Sequence, residues 1–173
     1  MYDIIVVGGG PAGMTAAVYG LRAGKSVLVV EKNGFGGQIA FSPKVENIPG
    51  TKTISGAEFA DALTDQVMNL GADVELEKVI SVEPGEIKRV HTEEGSTYEG
   101  KTVILAVGVK HRMLGLPGEE ALIGRGLSFC AVCDGAFYAG QETAMIGGGN
   151  SALQDLALSS PRALFPKRNA VQQ

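Results

Sequence analysis

The chain has 173 residues, 45% of them hydrophobic, with 15 basic and 19 acidic side chains for a net charge of −4. That is enough length and apolar content for a packed core, so a disordered chain is excluded, and the absence of any basic stripe argues against nucleic acid as the main partner. No apolar run approaches the ~18–20 residues that span a bilayer, and Met1-Tyr2-Asp3 lacks the basic start of a signal peptide, so the expectation is a soluble, cytoplasmic protein with no membrane partner.

Asp3 to Val7 is a short apolar, β-branched run that enters Gly8-Gly9-Gly10-Pro11-Ala12-Gly13 directly, as a buried parallel strand feeding a tight turn does. Met14 to Ala23 reads as a helix stopped by Gly24, and Ser26 to Val30 as the next buried strand, which closes a strand–helix–strand unit. The fold class expected is α/β: a doubly wound, Rossmann-like dinucleotide unit. Gly8, Gly10 and Gly13 satisfy G-x-G-x-x-G, with a pyrophosphate expected on the helix N-terminus. Glu31 stands 18 residues beyond Gly13, where a carboxylate accepts hydrogen bonds from ribose hydroxyls. A carboxylate there repels a 2′-phosphate, so the ligand expected is FAD or NAD rather than NADP.

Lys32 to Ser55 has no usable period, and a loop of that length implies a ligand to wrap. Gly56 to Leu70 is amphipathic, with Phe59, Leu63, Val67 and Leu70 on one face. Asp73–Glu83, Ile87–Thr92 and Thr97–Tyr98 read as an antiparallel β-meander, and Thr102–Val107 as a wholly buried strand. Gly108 to Gly126 reads as a crossover between two domains. Thr143–Ile146, leading into Gly147-Gly148-Gly149-Asn150-Ser151-Ala152, repeats the opening strand, glycine turn and helix, now as G-x-G-x-x-A through Gly147, Gly149 and Ala152, so a second, partial NAD(P)-binding Rossmann-like unit is expected. Pro161 and Pro166 interrupt the stretch after Ser159, and Lys167-Arg168 read as part of a frayed tail rather than a 2′-phosphate site.

The two cysteines, Cys130 and Cys133, are followed by Asp134-Gly135. Redox exchange, a zinc site and two inert thiols are the alternatives. The zinc reading fails for want of further ligands, because His91 and His111 lie at no ligand spacing and read as surface residues, so no metal is expected. Redox exchange is favoured, with Asp134 moving protons to and from the leaving thiolate.

These residues resemble the low-molecular-weight, bacterial-type thioredoxin reductases. The resemblance rests on GGGPAGMTAA (Gly8–Ala17), EKNGFGGQI (Glu31–Ile39), VENIPG (Val45–Gly50), AVG (Ala106–Gly108), LPGE (Leu116–Glu119), GRGLSFCAVCDG (Gly124–Gly135) and GGGNSAL (Gly147–Leu153). It implies FAD held by Gly8, Gly10, Pro11, Ala12, Gly13, Glu31, Lys32, Gly36, Gly37 and Gln38, with Asn47 near the flavin, Val79 beside the adenine, and Ala106 and Gly108 at a strand end. It further implies NADPH at Gly147, Gly149, Asn150, Ser151 and Ala152. Hydride would pass from the nicotinamide to the flavin, then electrons to a Cys130–Cys133 disulfide and on to thioredoxin or a similar small disulfide protein, in a homodimer.

The domains so implied are 1–115, the amino-terminal part of an FAD-binding domain, and 116–173, the start of an NADPH-binding domain. Ser160–Gln173 departs from the family and reads as a truncated end, so weak flavin binding, little NADPH-dependent turnover and protease sensitivity beyond about Gly140 are expected of the chain alone. A peroxiredoxin-system reductase, against which the start at Met1 weighs, a ferredoxin-fed or oxidase-type relative, and a non-catalytic FAD-binding fragment are the competing readings.

Overall fold

The computed structural model describes residues 1–158. The chain divides into two compact units, 1–110 and 111–173. The first begins with strand β1 (Tyr2–Val7), helix α1 (Pro11–Arg22) and strand β2 (Val27–Glu31). Its apolar strands pair in parallel, Ile4 opposite Val27 and Val7 opposite Val30. Pro11 sits in the first turn of α1, where a missing N–H costs nothing, and the helix stops at Gly24 with φ +71°.

Helix α2 (Gly56–Asn69) starts from a capping box: Ser55 Oγ accepts the Glu58 N–H at 3.1 Å while Glu58 Oε2 accepts the Ser55 N–H at 2.9 Å. Strands β3 (Asp73–Leu76), β4 (Val79–Glu83), β5 (Lys88–Thr92) and β6 (Thr97–Leu105) complete a six-stranded sheet in the order β3-β2-β1-β6-β5-β4. The expected α/β class with its meander is present, and the core is split by the sheet. Met14, Ala17 and Val67 from the helices pack on Val6, Val27 and Val29, while on the other face Ile5, Leu28 and Val30 meet Val90, Val79, Val82 and Tyr98 of the meander.

Four sequence expectations are corrected here. Residues 73–83 are two strands: β3 joins β2 in parallel, Val29 opposite Val74, and only β4 belongs to the meander. The strands expected at 97–98 and 102–107 are one, β6, whose first half runs antiparallel to β5 and whose second half runs parallel to β1. Gly100 falls between the two expected strands, and it is what lets β6 cross Ile5, because a Cβ there would lie 2.8 Å from Ile5 Cγ1. That strand end is not wholly buried either. Ile104 and Ala106 pack on the helix-side cluster, but Leu105 and Val107 alternate to the opposite face, beyond the residues that β5 pairs, and are exposed. In α2, Val67 and Leu63 face the core as expected, whereas Leu70 lies past the helix end and is exposed.

The second unit carries a 3-10 turn at Glu119–Leu122, helix α3 (Ala131–Asp134), a 3-10 turn at Gly135–Tyr138 and helix α4 (Asn150–Leu158). The strand expected at Thr143–Ile146 does not form: Ala144 is an isolated bridge residue and Ile146 is exposed. A strand exists by pairing, and residues 111–158 contain no strand to pair with it. Pro161, Pro166, Lys167 and Arg168, with the rest of 159–173, lie outside the described residues.

Replacing Gly100 with Val drives a branched side chain into Ile5, and a loss of about 1–3 kcal/mol is expected. Chemical denaturation of parent and variant measures it, and equal midpoints would contradict the crossing at Gly100.

Candidate functional site

The turn between β1 and α1 is set by backbone contact. Gly8, at φ +112°, donates its N–H to Val30 O at 2.8 Å, and a Cβ on it would lie 2.2 Å from the Ala106 carbonyl oxygen. A Cβ on Gly13 would lie 1.9 Å from Gly8 O. Both positions are therefore demanded by the fold. Gly10 is different: its φ of −80° suits any residue, and a Cβ would meet nothing closer than 3.9 Å. The chain's own packing does not require glycine there. Ala12, exposed, and Pro11 open the helix beside this space, with N–H groups of the first turn unpaired as at any helix start.

Glu31, at the end of β2, turns its carboxylate onto backbone. Oε2 accepts the Gly9 N–H at 2.7 Å, and Oε1 accepts those of Lys32 at 2.9 Å and Asn33 at 3.1 Å. A carboxylate has about four lone-pair sites, so these three contacts leave one unfilled. The exposed Lys32 thus contributes its backbone N–H to this clasp. The loop beyond folds back on the same turn: the Gly36 N–H reaches Gly9 O at 2.7 Å, and a Cβ on Gly37 would sit 3.3 Å from Gly10 Cα. Gln38 Nε2 donates to Val109 O, next to Gly108 with φ +63°, so the loop is also tied to the end of β6.

The turn, Glu31, Gly36, Gly37 and Ala106 are thereby brought together. Asn47 is exposed, in the loop closed by the Val45–Ile54 bridge, and Val79 is half-buried, packing against the meander-side core.

In the second unit Cys130 and Cys133 form a disulfide, with Cα atoms 5.3 Å apart. Cys130 caps α3: its Sγ accepts the Cys133 N–H at 3.2 Å and its carbonyl accepts the Asp134 N–H at 3.0 Å. Cys133 is exposed and Cys130 half-buried. Ser128, which sequence reasoning passed over, accepts the Cys130 N–H at 3.2 Å and donates to Asp134 Oδ2 at 2.7 Å. A hydroxyl two residues before a capping position is a recurring turn device, and that spacing was the available signal. His111 stacks on Phe129 at 4.2 Å between ring centroids, and His91 is half-buried in the meander, bonded to Thr97 Oγ1 and 3.3 Å from Glu83. No group of three or more metal-ligating side chains occurs among the described residues, nor a helix long and apolar enough to cross a membrane.

The second glycine turn places Gly147 at φ +136°, where a Cβ would approach Ala152 Cβ to 3.2 Å, while Gly148 and Gly149 face open space. Asn150 and Ser151 start α4. Glu119, the last residue of LPGE, is one to which the sequence assigned no role. Buried, it accepts the N–H groups of Leu114 and Gly115 at 2.8 Å and Leu116 at 3.2 Å.

A model of the pyridine nucleotide-disulphide oxidoreductase family matches residues 2–158. The chain belongs to this family. Within it, the chain is 47% identical over 157 residues to a bifunctional thioredoxin reductase/thioredoxin of Mycobacterium leprae, covering 90% of this chain and 34% of that protein. It is 42% identical over 155 residues to a thioredoxin reductase of Bacillus subtilis, at 90% and 49% coverage. The crystal structure of thioredoxin reductase from Streptococcus pyogenes superimposes with a TM-score of 0.86 at 44% identity, over 91% of this chain and 52% of that one. The chain spans about half the length, or less, of these relatives.

The different demands at Gly13 and Gly10 are measurable. In the ligand-free chain, Gly13→Ala lowers stability by at least about 1 kcal/mol, since backbone must shift, whereas Gly10→Ala stays within about 0.5 kcal/mol of the parent. Thermal melts without flavin separate the two. For Glu119, the Leu114 N–H foremost, opposed by burial and aided by Leu116 and Gly115, holds the carboxyl below its ordinary value of 4.5. The stabilisation is therefore complete above pH 4.5 and disappears as pH falls through the lowered value. Hydrogen exchange at Leu114, Gly115 and Leu116 should be protected at neutral pH, lose protection on acidification, and be unprotected throughout in Glu119→Ala.

Proposed function

We propose that the chain is the flavin-binding and disulfide-bearing part of a thioredoxin reductase, passing electrons from NADPH through FAD to Cys130–Cys133 and on to thioredoxin or a similar small disulfide protein. The observation that carries this reading is a Cys130–Cys133 disulfide, held in a turn with Asp134, in a chain that also builds a complete G-x-G-x-x-G turn. Domain boundaries near 1–115 and 116–173, a homodimer and a cytoplasmic location belong to the same reading and are supported by the resemblance.

The residues present fit FAD. The open space at Gly10 is one a Cβ would fill, so the glycine there serves a close-lying ligand and not the fold. N–H groups at the start of α1 and the helix dipole favour a pyrophosphate in that space, and the remaining lone pair on Glu31 accepts a ribose hydroxyl. Gly36, Gly37 and Gln38 would line the cofactor, with Asn47, the Val79 backbone, Ala106 and Gly108 around it. FAD bound there supplies a two-electron relay between a reduced nicotinamide and a disulfide.

For NADPH, Gly147, Gly149, Asn150, Ser151 and Ala152 provide the turn and helix start. The chain's own part in the exchange lies with its sulfurs: the dithiol form of Cys130 and Cys133 attacks the partner's disulfide, and Asp134 holds and moves the proton.

Titration with FAD should give saturable quenching of flavin fluorescence, abolished in Gly10→Val and weakened about tenfold or more in Glu31→Ala. Cys130→Ser and Cys133→Ser should bind flavin as the parent does, yet lose exchange with oxidised thioredoxin. Equal flavin binding by Gly10→Val would overturn the cofactor assignment, and exchange surviving in both cysteine variants the disulfide assignment.

A further inference from the structure

The residues already given roles leave one polar side chain unaccounted for at the disulfide, Ser128. It is half-buried and bonded on two sides: its hydroxyl hydrogen goes to Asp134 Oδ2 at 2.7 Å, and its oxygen accepts the N–H of Cys130 at 3.2 Å. A hydroxyl has one proton to donate, and the short contact to Asp134 takes it in preference to the Cys130 carbonyl at 3.4 Å. Cys130 caps the short helix and Asp134, four residues on, ends it, and the Asp134 N–H closes that turn on the Cys130 carbonyl at 3.0 Å. The carboxylate is thus fixed at one oxygen, while Oδ1 carries no hydrogen bond among the described residues.

We propose that Ser128 is a positioning residue for thiol–disulfide exchange: by pinning Asp134 Oδ2 to the backbone of Cys130, it presents Oδ1 as the oxygen that carries protons to and from the reacting sulfurs. This rests on the reading of Cys130–Cys133 as redox-active. In the dithiol form, one cysteine thiol gives its proton to Oδ1 as its sulfur bonds to a partner sulfur. The partner's S–S bond breaks, and the departing partner sulfur takes the proton from Oδ1. The second thiol then gives its proton to the same oxygen while closing the Cys130–Cys133 bond, and the released partner sulfur takes that proton. Two electrons leave the dithiol, one partner disulfide becomes two thiols, and Asp134 ends as it began.

Without the Ser128 hydroxyl the aspartate is free to rotate, and a proton carrier that samples several rotamers works only part of the time. The cysteines themselves, and their disulfide, do not need Ser128 to form.

The test uses the 173-residue chain, reduced and freed of reductant, with oxidised glutathione as the probe disulfide and the second-order rate of reoxidation as the readout. Ser128→Ala should slow exchange about tenfold, and Ser128→Thr, which keeps the hydroxyl, should restore most of it. The deciding arm is the double variant. If Ser128 acts through Asp134, Ser128→Ala has no further effect in an Asp134→Asn background.

An unchanged rate in Ser128→Ala, or the same tenfold loss with and without Asp134, overturns the proposal, since a merely structural role would slow both backgrounds alike. Should Ser128→Ala fail to fold, Ser128→Thr against Ser128→Val gives the same comparison at constant shape. Failure of the reduced parent to react with glutathione at all overturns the redox reading itself, a result distinct from parental exchange that ignores Ser128.

Discussion

The contact on which the first unit depends is backbone against backbone. At the top of β1 the chain turns so tightly that Gly8 lies against the Ala106 carbonyl at the end of β6, and Gly13 of α1 against Gly8. Two side-chain-free positions let a helix, the strand that feeds it and a strand far along the chain meet within van der Waals distance. Everything placed around the turn inherits that position: α1 packs Met14 and Ala17 on Val6 and Val29, and β6 lies parallel to β1 with Val7 opposite Leu105. The space over Gly10 is what remains when those three elements have converged.

Glu31 locks the arrangement from the other side. A carboxylate that accepts three backbone N–H groups, one of them from the glycine turn itself, joins the end of β2 to the β1–α1 junction more firmly than apolar packing alone. Gly9, Lys32 and Asn33 occupy all but one of its roughly four lone-pair sites, so the structural role leaves one acceptor site unfilled. At the far end of the sheet a second clasp, Asp3 with Lys101 at 2.7 Å and with Ser26, ties β1 to β6 and β2. Lys101 first, then the Ser26 N–H and hydroxyl, hold that carboxyl well below the usual range.

Legible in the sequence was whatever a short window determines. The strand–turn–helix from Asp3 to Gly24 and the amphipathic helix from Gly56 depend on residues close in sequence, and their residue types announce them. The misreadings share a different cause. The strand β6 looks like two because the reason for the glycine between them, the side chain of Ile5 beneath Gly100, is 95 positions away. Asp73–Leu76 looks like part of the meander because nothing local states that its edge belongs to β2. Leu105 and Val107 look buried because a parallel strand ordinarily is, and alternation onto a face that β5 does not reach is a property of the assembled sheet. Ser128 and Glu119 escape notice for the opposite reason: both lie inside quoted motifs, but act locally through common hydrogen bonds to backbone that give neither residue a recognisable role.

The same distinction accounts for the second unit. Its glycine turn forms because Gly147 needs only Ala152, five residues on, and its disulfide forms because Cys130 needs only Cys133. The strand between them needs a neighbour in a sheet, and residues 111–158 supply none, so Thr143–Ile146 forms no strand although its apolar character suits one. The two sulfurs, the Asp134 carboxylate four residues from the first of them and the Ser128 hydroxyl bonded to it are, by contrast, joined by contacts within one short stretch. Those four groups lie within Ser128–Asp134, so the arrangement around the disulfide is set by seven consecutive residues and needs no strand pairing.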